Sequence, residues 1–417
     1  MRILKVIAYM FCMLFLCSAC LLKSVGGAFK HEPGDLKRNI SAKSRKFIDE
    51  ALADVKGGKL FDYHVHVLGL GKNDSGIYVN ERLLSWTEAI EHLKMLVYLS
   101  AAGTPNDEHV DINFIKRLLD LAQESPAKMR YLLLAFDYYY EPDGHKNLKK
   151  TQFFVPNEWV FALAAAHPKN FVAAMSVHPY RKDALSELQR WAKKGGRIVK
   201  WLPNAMGIDP SDLKIDAYYK KMRELDLILL SHTGEEQAVD AQNQELGNPL
   251  LLRRPLDLGV KVIAAHCASL GDNEDLDNPG HKEKSFKLFL RLMDDPKYNG
   301  LLFADISALT QANRMGEPLE TMLKRSDLHH RLINGSDYPL PAINIVIRTR
   351  DLAKKGYITK EERKILNEIY DYNPLLFDYL VKRTIRHPRT GDKFSPRIFE
   401  EHPLLVPIRT DSLKPNL

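Results

Sequence analysis

The sequence predicts an α/β fold, a (β/α)8 barrel, and three observations predict it. Eight short apolar runs alternate with helical stretches, at 60–67, 130–137, 171–177, 197–202, 227–232, 261–266, 301–307 and 331–336. Eight is the number of parallel strands that closes such a barrel. The first run continues Leu60-Phe61 into Asp62-Tyr63-His64-Val65-His66. Two histidines at i and i+2 on a strand share a face, so two imidazoles stand side by side as a divalent metal requires. Later runs end the same way, Leu227–Ser231 in His232, Val262–Ala265 in His266, Leu332–Ser336 in Asp337 and Arg197–Val199 in Lys200. A buried parallel strand that delivers one polar side chain to a shared mouth has this pattern.

Residues 1–20 read as a signal segment. Arg2 and Lys5 precede the apolar run Val6 to Leu16, and Cys17-Ser18-Ala19-Cys20 follows. The segment resembles a bacterial lipoprotein signal in which Cys20 is lipidated. An ordinary cleaved signal and a retained anchor are the alternatives, although the apolar run is short against the roughly 20 residues that span a membrane. This reading puts the protein in the bacterial cell envelope, exported and held to the membrane through Cys20. Three of the four cysteines lie here, at 12, 17 and 20. Cys267 alone stays unlipidated in the mature chain, which rules out an internal disulfide and leaves stability to core packing.

Residues 21–57 are polar and charged and read as a tether with one helix, Ala42 to Val55. Residues 58–380 form the barrel. Leu93 to Ala102 reads as the end of a helix that starts near Thr87, in an insertion after the first strand. Asp183 to Lys194 carries Leu185, Leu188 and Trp191 near helical spacing, and Tyr218 to Asp226 and Ser285 to Met293 behave alike. Asp351 to Tyr370 is helical and leads into Asn373-Pro374. Residues 381–417 are a tail rich in Pro, Arg and His, expected to wrap the surface or to be partly disordered.

A chain of 417 residues with 45% hydrophobic content can bury a full core as one large domain or two ordinary ones. Its formal net charge of +7 is too mild for a nucleic-acid partner, and no basic stripe interleaved with aromatics appears. A small-molecule substrate fits better, and a homodimer is compatible with the sequence.

The motifs Asp62-x-His64-x-His66, Val199-Lys200-Trp201, His232-Thr233-Gly234, Ala265-His266-Cys267 and Gly335-Ser336-Asp337-Tyr338-Pro339 together resemble the amidohydrolase superfamily. The similarity is to the amidohydrolase-related branch that includes aminocarboxymuconate-semialdehyde decarboxylase, and it covers roughly residues 58 to 380. The resemblance implies that His64, His66, His232 and Asp337 bind one divalent metal, most often Zn2+. It implies that His266 is a general acid/base and that Asp337 also takes a proton from water. Three imidazoles and a carboxylate suit zinc.

Other residues keep more than one reading. Lys200 is a carboxylated bridge between two metals, a charged group facing substrate, or half of a structural ion pair. Asp62 reads as an acceptor behind a ligand, because metal-bound imidazoles need one. Asp305 and Ser307 end the seventh run and are pocket or structural. Arg181, in His178-Pro179-Tyr180-Arg181, either clamps a substrate carboxylate or pairs with Asp183. Trp201 walls the pocket or packs under a helix. Cys267 is a ligand or a small buried residue. The acidic run 272–277 lacks the glycine and terminal glutamate of a calcium loop and reads as a solvated loop.

The function expected is a metal-dependent hydrolase that uses metal-activated water on an amide, ester or lactone carbonyl. The alternative is a non-oxidative decarboxylase or hydratase of a carboxylated unsaturated acid. A binding protein that keeps the barrel without catalysis is a third reading, against which the intact set of polar strand ends argues.

Overall fold

The computed structural model describes residues 25–27, 30–55, 59–104 and 107–405. The signal-like residues 1–20, Cys20 included, lie outside the described residues. Among the described residues no helix is long and apolar enough to cross a membrane.

The fold is α/β. Its eight parallel strands are β1 (Leu60–His66), β2 (Met129–Leu134), β3 (Phe171–Ala174), β4 (Ile198–Trp201), β5 (Ile228–Ser231), β6 (Lys261–Ala264), β7 (Leu302–Asp305) and β8 (Leu332–Ile333). Each coincides with a run expected from sequence. Most are shorter at their C-terminal ends, where the chain leaves the ladder to build a mouth. Neighbours pair in chain order through β1–β2–β3 and through β4–β5–β6–β7–β8. Met175 joins β3 to β4, its N–H donating to Ile198 O at 2.9 Å and its O accepting from Lys200 N at 2.8 Å. The ring closes between β8 and β1, where Tyr63 N donates to Asn334 O at 2.9 Å, Asp337 N to His64 O at 2.8 Å and His66 N to Tyr338 O at 3.0 Å.

Side-chain parity explains what each strand delivers. Phe61, Tyr63, Leu132, Leu134, Ile198, Ile228, Leu230, Ile263, Phe303 and Ile333 form an inner core, with Leu405 among them. Val199, Trp201, Leu229, Val262 and Ala304 belong to the outer core between strands and helices. This is the period-two alternation of a two-sided buried strand. β1 breaks it. Its pairing with β2 shifts register between Asp62 and Val65, and Val65 joins the outer core. An extra residue at that point re-aims the side chains beyond it. His64 and His66 therefore face the same side as Phe61 and Tyr63 instead of the opposite one. Gly335 makes room at the seam, since a Cβ there would stand 2.7 Å from His64 Cβ.

Helices cover the outside, among them α1 (Ala42–Ala53), α2 (Ala89–Ala101), α3 (Asp216–Glu224), α4 (Lys360–Tyr370) and α5 (Pro374–Thr384). The segment from Leu93 is helical, in α2. The expected helix from Asp351 to Tyr370 is two, because Thr349–Lys354 ends before α4 begins behind a Thr359/Glu362 capping box. Residues 30–55 are not a free tether. Lys30 pairs with Asp371 at 3.0 Å, His31 stacks on Tyr372, and Ser41 N donates to Glu368 at 2.7 Å. The tail is also tied down through residue 405. Asn334 N donates to Ile398 O at 2.8 Å, His402 N donates to Tyr63 Oη at 2.9 Å, and Leu405 seals the ring floor.

Candidate metal centre

At the C-terminal mouth of the ring, one cavity of about 550 Å³ is lined by His64, His66, Lys200, His232, His266 and Asp337 together. β1, β4, β5, β6 and β8 supply these polar groups at or just past their ends, β2 adds Leu134 to the wall, and Asp305 of β7 holds His64 and His266.

His64 is fully buried. Its Nδ1 lies 2.9 Å from Asp305 Oδ2, and its Nε2 lies 3.0 Å from Lys200 Nζ and 3.6 Å from Asp337 Oδ1. Asp305 fixes the ring, so Nδ1 carries the proton and Nε2 offers its lone pair to the cavity. His66 Nε2 stands 3.2 Å from the same Asp337 oxygen. The possible ligand atoms of His64, His66 and Asp337 lie within 4.8 Å of one another. So do those of His64, His266 and Asp305.

His232 follows β5. Its Nδ1 is 3.3 Å from Glu236 Oε2, and its buried Nε2 has no hydrogen-bond partner. A buried imidazole nitrogen left bare is costly unless something else takes its lone pair. His232 lines the cavity with its ring 5.0 Å from that of His266, but it falls outside both three-residue groups. The donors of His64, His66, His232 and Asp337, three imidazoles and a carboxylate, fit a divalent cation.

His266 is placed by strain. It, Cys267 and Ala268 have φ of 58°, 51° and 47°, and Asp337 has φ of 61°. Non-glycine residues in the left-handed region persist where the surroundings hold them, and they cluster at functional sites. Here Asp305 holds the turn at His266. Its Oδ1 accepts from His266 N at 2.9 Å and Ser307 N at 3.1 Å. Ser307 Oγ lies 2.6 Å from His266 Nδ1, leaving Nε2 for the cavity.

Burial and neighbouring charges set the electrostatics. Burial works against the Asp337 carboxylate, but His266, His66 and His64 outweigh it and hold the group well below the usual range. Burial also opposes the charge on Asp305, and His64 and His266 reverse that too. Burial pushes His266 down to about 3 against the pull of Asp337 and Asp305, so it is neutral at pH 7. Lys200 is lowered to about 8 by burial, with Asp305, Asp337 and Glu236 opposing.

Asp62 bolts β1 to β8, its Oδ1 accepting from His64 N at 3.0 Å and Ser336 N at 2.9 Å. Lys200 faces the cavity. Trp201 does not wall the cavity but packs under a helix. β4 points Ile198 inward, so Lys200 points inward and Trp201 outward. Its Nε1 donates to Val177 O at 3.1 Å, and its ring packs on Tyr218 and Tyr219 of α3.

Arg181 is not placed to clamp a substrate in this cavity and pairs with Asp183 instead. It donates to Asp137 at 3.1 Å and to both Asp183 oxygens at 2.9 Å, and it does not line the cavity. Cys267 is buried, with Sγ 3.3 Å from Asp305 O. In the acidic run, Arg291 takes both oxygens of Asp275, and Arg253 and Arg291 take those of Asp277. Those oxygens serve guanidinium groups, not a metal ion.

Two buried charged residues of the cavity have no strand-end signature. Glu236 sits four residues past His232 and backs its ring, a spacing legible in the sequence. Arg314 lies in the loop after β7, buried, with Nη1 donating to Ser269 Oγ at 3.1 Å and Nε without a partner. Nothing local marks it.

A sequence model of the family described as Amidohydrolase matches residues 61–343, the greater part of the chain and all of the cavity's metal-binding candidates. The chain belongs to the amidohydrolase family. No curated protein matches this amidohydrolase. Several solved structures resemble it at low identity. An uncharacterised TIM-barrel protein from Bordetella bronchiseptica is 15% identical, covers 67% of this chain and 86% of its own, and gives a TM-score of 0.44. A candidate 2-pyrone-4,6-dicarboxylic acid hydrolase from Pseudomonas putida is 15% identical, with 67% and 83% covered and a TM-score of 0.39. A 5-carboxyvanillate decarboxylase from Novosphingobium aromaticivorans with bound manganese is 12% identical, with 78% and 94% covered and a TM-score of 0.42.

Proposed function

We propose that this amidohydrolase is a metal-dependent hydrolase on a (β/α)8 barrel, acting on an amide, ester or lactone carbonyl of a small molecule. The observation that carries the reading is one ionised carboxylate, Asp337, set against His64 and His66 in the cavity that His232 enters with a bare Nε2. His64, His66, His232 and Asp337 would hold the cation, and their chemistry favours Zn2+. When bound, such a cation supplies Lewis acidity and makes a nucleophile available at neutral pH.

The chain's own groups divide the proton work. Asp337, ionised at neutral pH, orients the attacking water and accepts its proton. Neutral His266, its Nδ1 held by Ser307, presents Nε2 to the leaving group's side of the cavity, where it relays that proton. Lys200 adds positive charge at Nζ beside His64, where negative charge builds on the substrate oxygen.

A second reading has one observation of its own. Arg314 sits in the same cavity with an unpartnered Nε, and a buried guanidinium suits a carboxylate. That arrangement supports a decarboxylase or hydratase of a carboxylated acid. Metal analysis of the purified protein, with a substrate screen after reconstitution, tests both. The hydrolase reading expects about one divalent ion per chain, lost in His64→Ala, and proton release from neutral esters or lactones. Carbon dioxide release from carboxylated substrates, with neutral esters untouched, would replace it with the second reading.

Residues 1–20 support export to the bacterial cell envelope with a lipid on Cys20. A fatty-acid analogue fed to an expressing bacterium should label the protein and fail to label Cys20→Ala. Equal labelling of both would remove the anchor.

A further inference from the structure

The cavity has a polar inner end and a mouth edged by Lys94, Gln237, Asn313 and Arg348, and between them its walls are largely apolar. Among the described residues its walls include Val67, Val97, Phe136, Phe153, Val155 and Ile343. The apolar lining runs on to solvent, where Ile90 is 74% exposed, Ile345 47% and Leu93 37%, all three on the same cavity. α2, inserted after β1, supplies Ile90, Leu93 and Val97. Exposed isoleucines that continue an inner apolar wall mark a surface meant to be covered. A compact polar acid would reach the inner groups and leave these walls wet. At the inner end, Arg314 has the one guanidinium, among the described residues of the cavity, that is both buried and short of a partner.

We propose that the substrate is an amphiphile. Its apolar chain lies along the gallery from Phe136 and Val97 to Ile90 and Ile345, and its head sets an anionic or carbonyl oxygen on Arg314. This rests on the proposed function only in placing the reacting group at the inner end.

Straight-chain carboxylates from butanoate to decanoate, titrated calorimetrically into the purified full-length protein, test it without a scissile bond. Each added methylene buried against the gallery should tighten binding about fourfold. The slope should flatten in Val97→Asp and, at an exposed position that leaves folding intact, in Ile345→Ser. Arg314→Lys keeps the charge and loses the planar fork, and it should weaken every chain length by a similar factor of about ten. An affinity independent of chain length overturns the gallery, and an unchanged affinity in Arg314→Lys overturns the head-group contact. A steep slope in a protein that hydrolyses no ester or lactone sustains this proposal and removes the hydrolase reading. Fast hydrolysis of short esters with a flat slope does the reverse.

Discussion

Asp337→Asn should lower kcat/KM by about 10³-fold while the protein stays folded. The carboxylate is the group in the cavity that is both anionic at neutral pH and adjacent to the imidazoles of β1. An amide of the same shape keeps the volume and gives up the proton acceptor. Losing a positioned general base typically costs roughly 10²- to 10⁴-fold. Steady-state kinetics on the metal-reconstituted protein give the number, and circular dichroism shows that the fold is retained. A variant with kcat/KM within about threefold of the parent would remove Asp337 from the proton transfer.

Asp305→Ala should be the most destabilising single change near the site, by about 3–5 kcal/mol. The carboxylate takes His64 Nδ1 on one oxygen and the N–H groups of His266 and Ser307 on the other. Alanine leaves these buried donors without an acceptor and frees the His64 ring to turn. It also releases the left-handed turn at His266 from the contact that fixes it. Metal affinity should fall about 10- to 100-fold, the usual result of removing an acceptor behind a ligating imidazole. Urea unfolding reads the first effect and competition with a chelator the second. A stability loss under about 1 kcal/mol would mean that water replaces the carboxylate.

The strand ends are visible in the sequence because each polar group closes an apolar run, which a buried parallel strand makes unavoidable. His64, His66, Lys200, His232, His266 and Asp337 stand out this way, and the chain does bring them to one cavity. Alternation from Ile198 sends Trp201 outward. Its indole chemistry suggests a pocket wall, but parity along the strand decides where it points.

The reversal of facing in β1 cannot be read, because a register shift depends on the partner strand and leaves no local mark. Arg314 is hidden for a related reason. It reaches the cavity from a loop whose path is set by packing, not by periodicity. Composition alone places Leu405 in a loose tail, and its burial comes from a floor that the strands by themselves leave open.

The way the ring closes has a consequence for how the chain is made. The N–H of Ser336 reaches the Asp62 carboxylate across 274 residues of sequence, and Leu405 comes later still. During synthesis the first strand leaves the ribosome with one flank bare and keeps it so until nearly the whole polypeptide has emerged. Contacts this distant in sequence form slowly. The two histidines of the opening strand, whose backbone meets Asp337 and Tyr338, can take their final setting only after those residues have emerged.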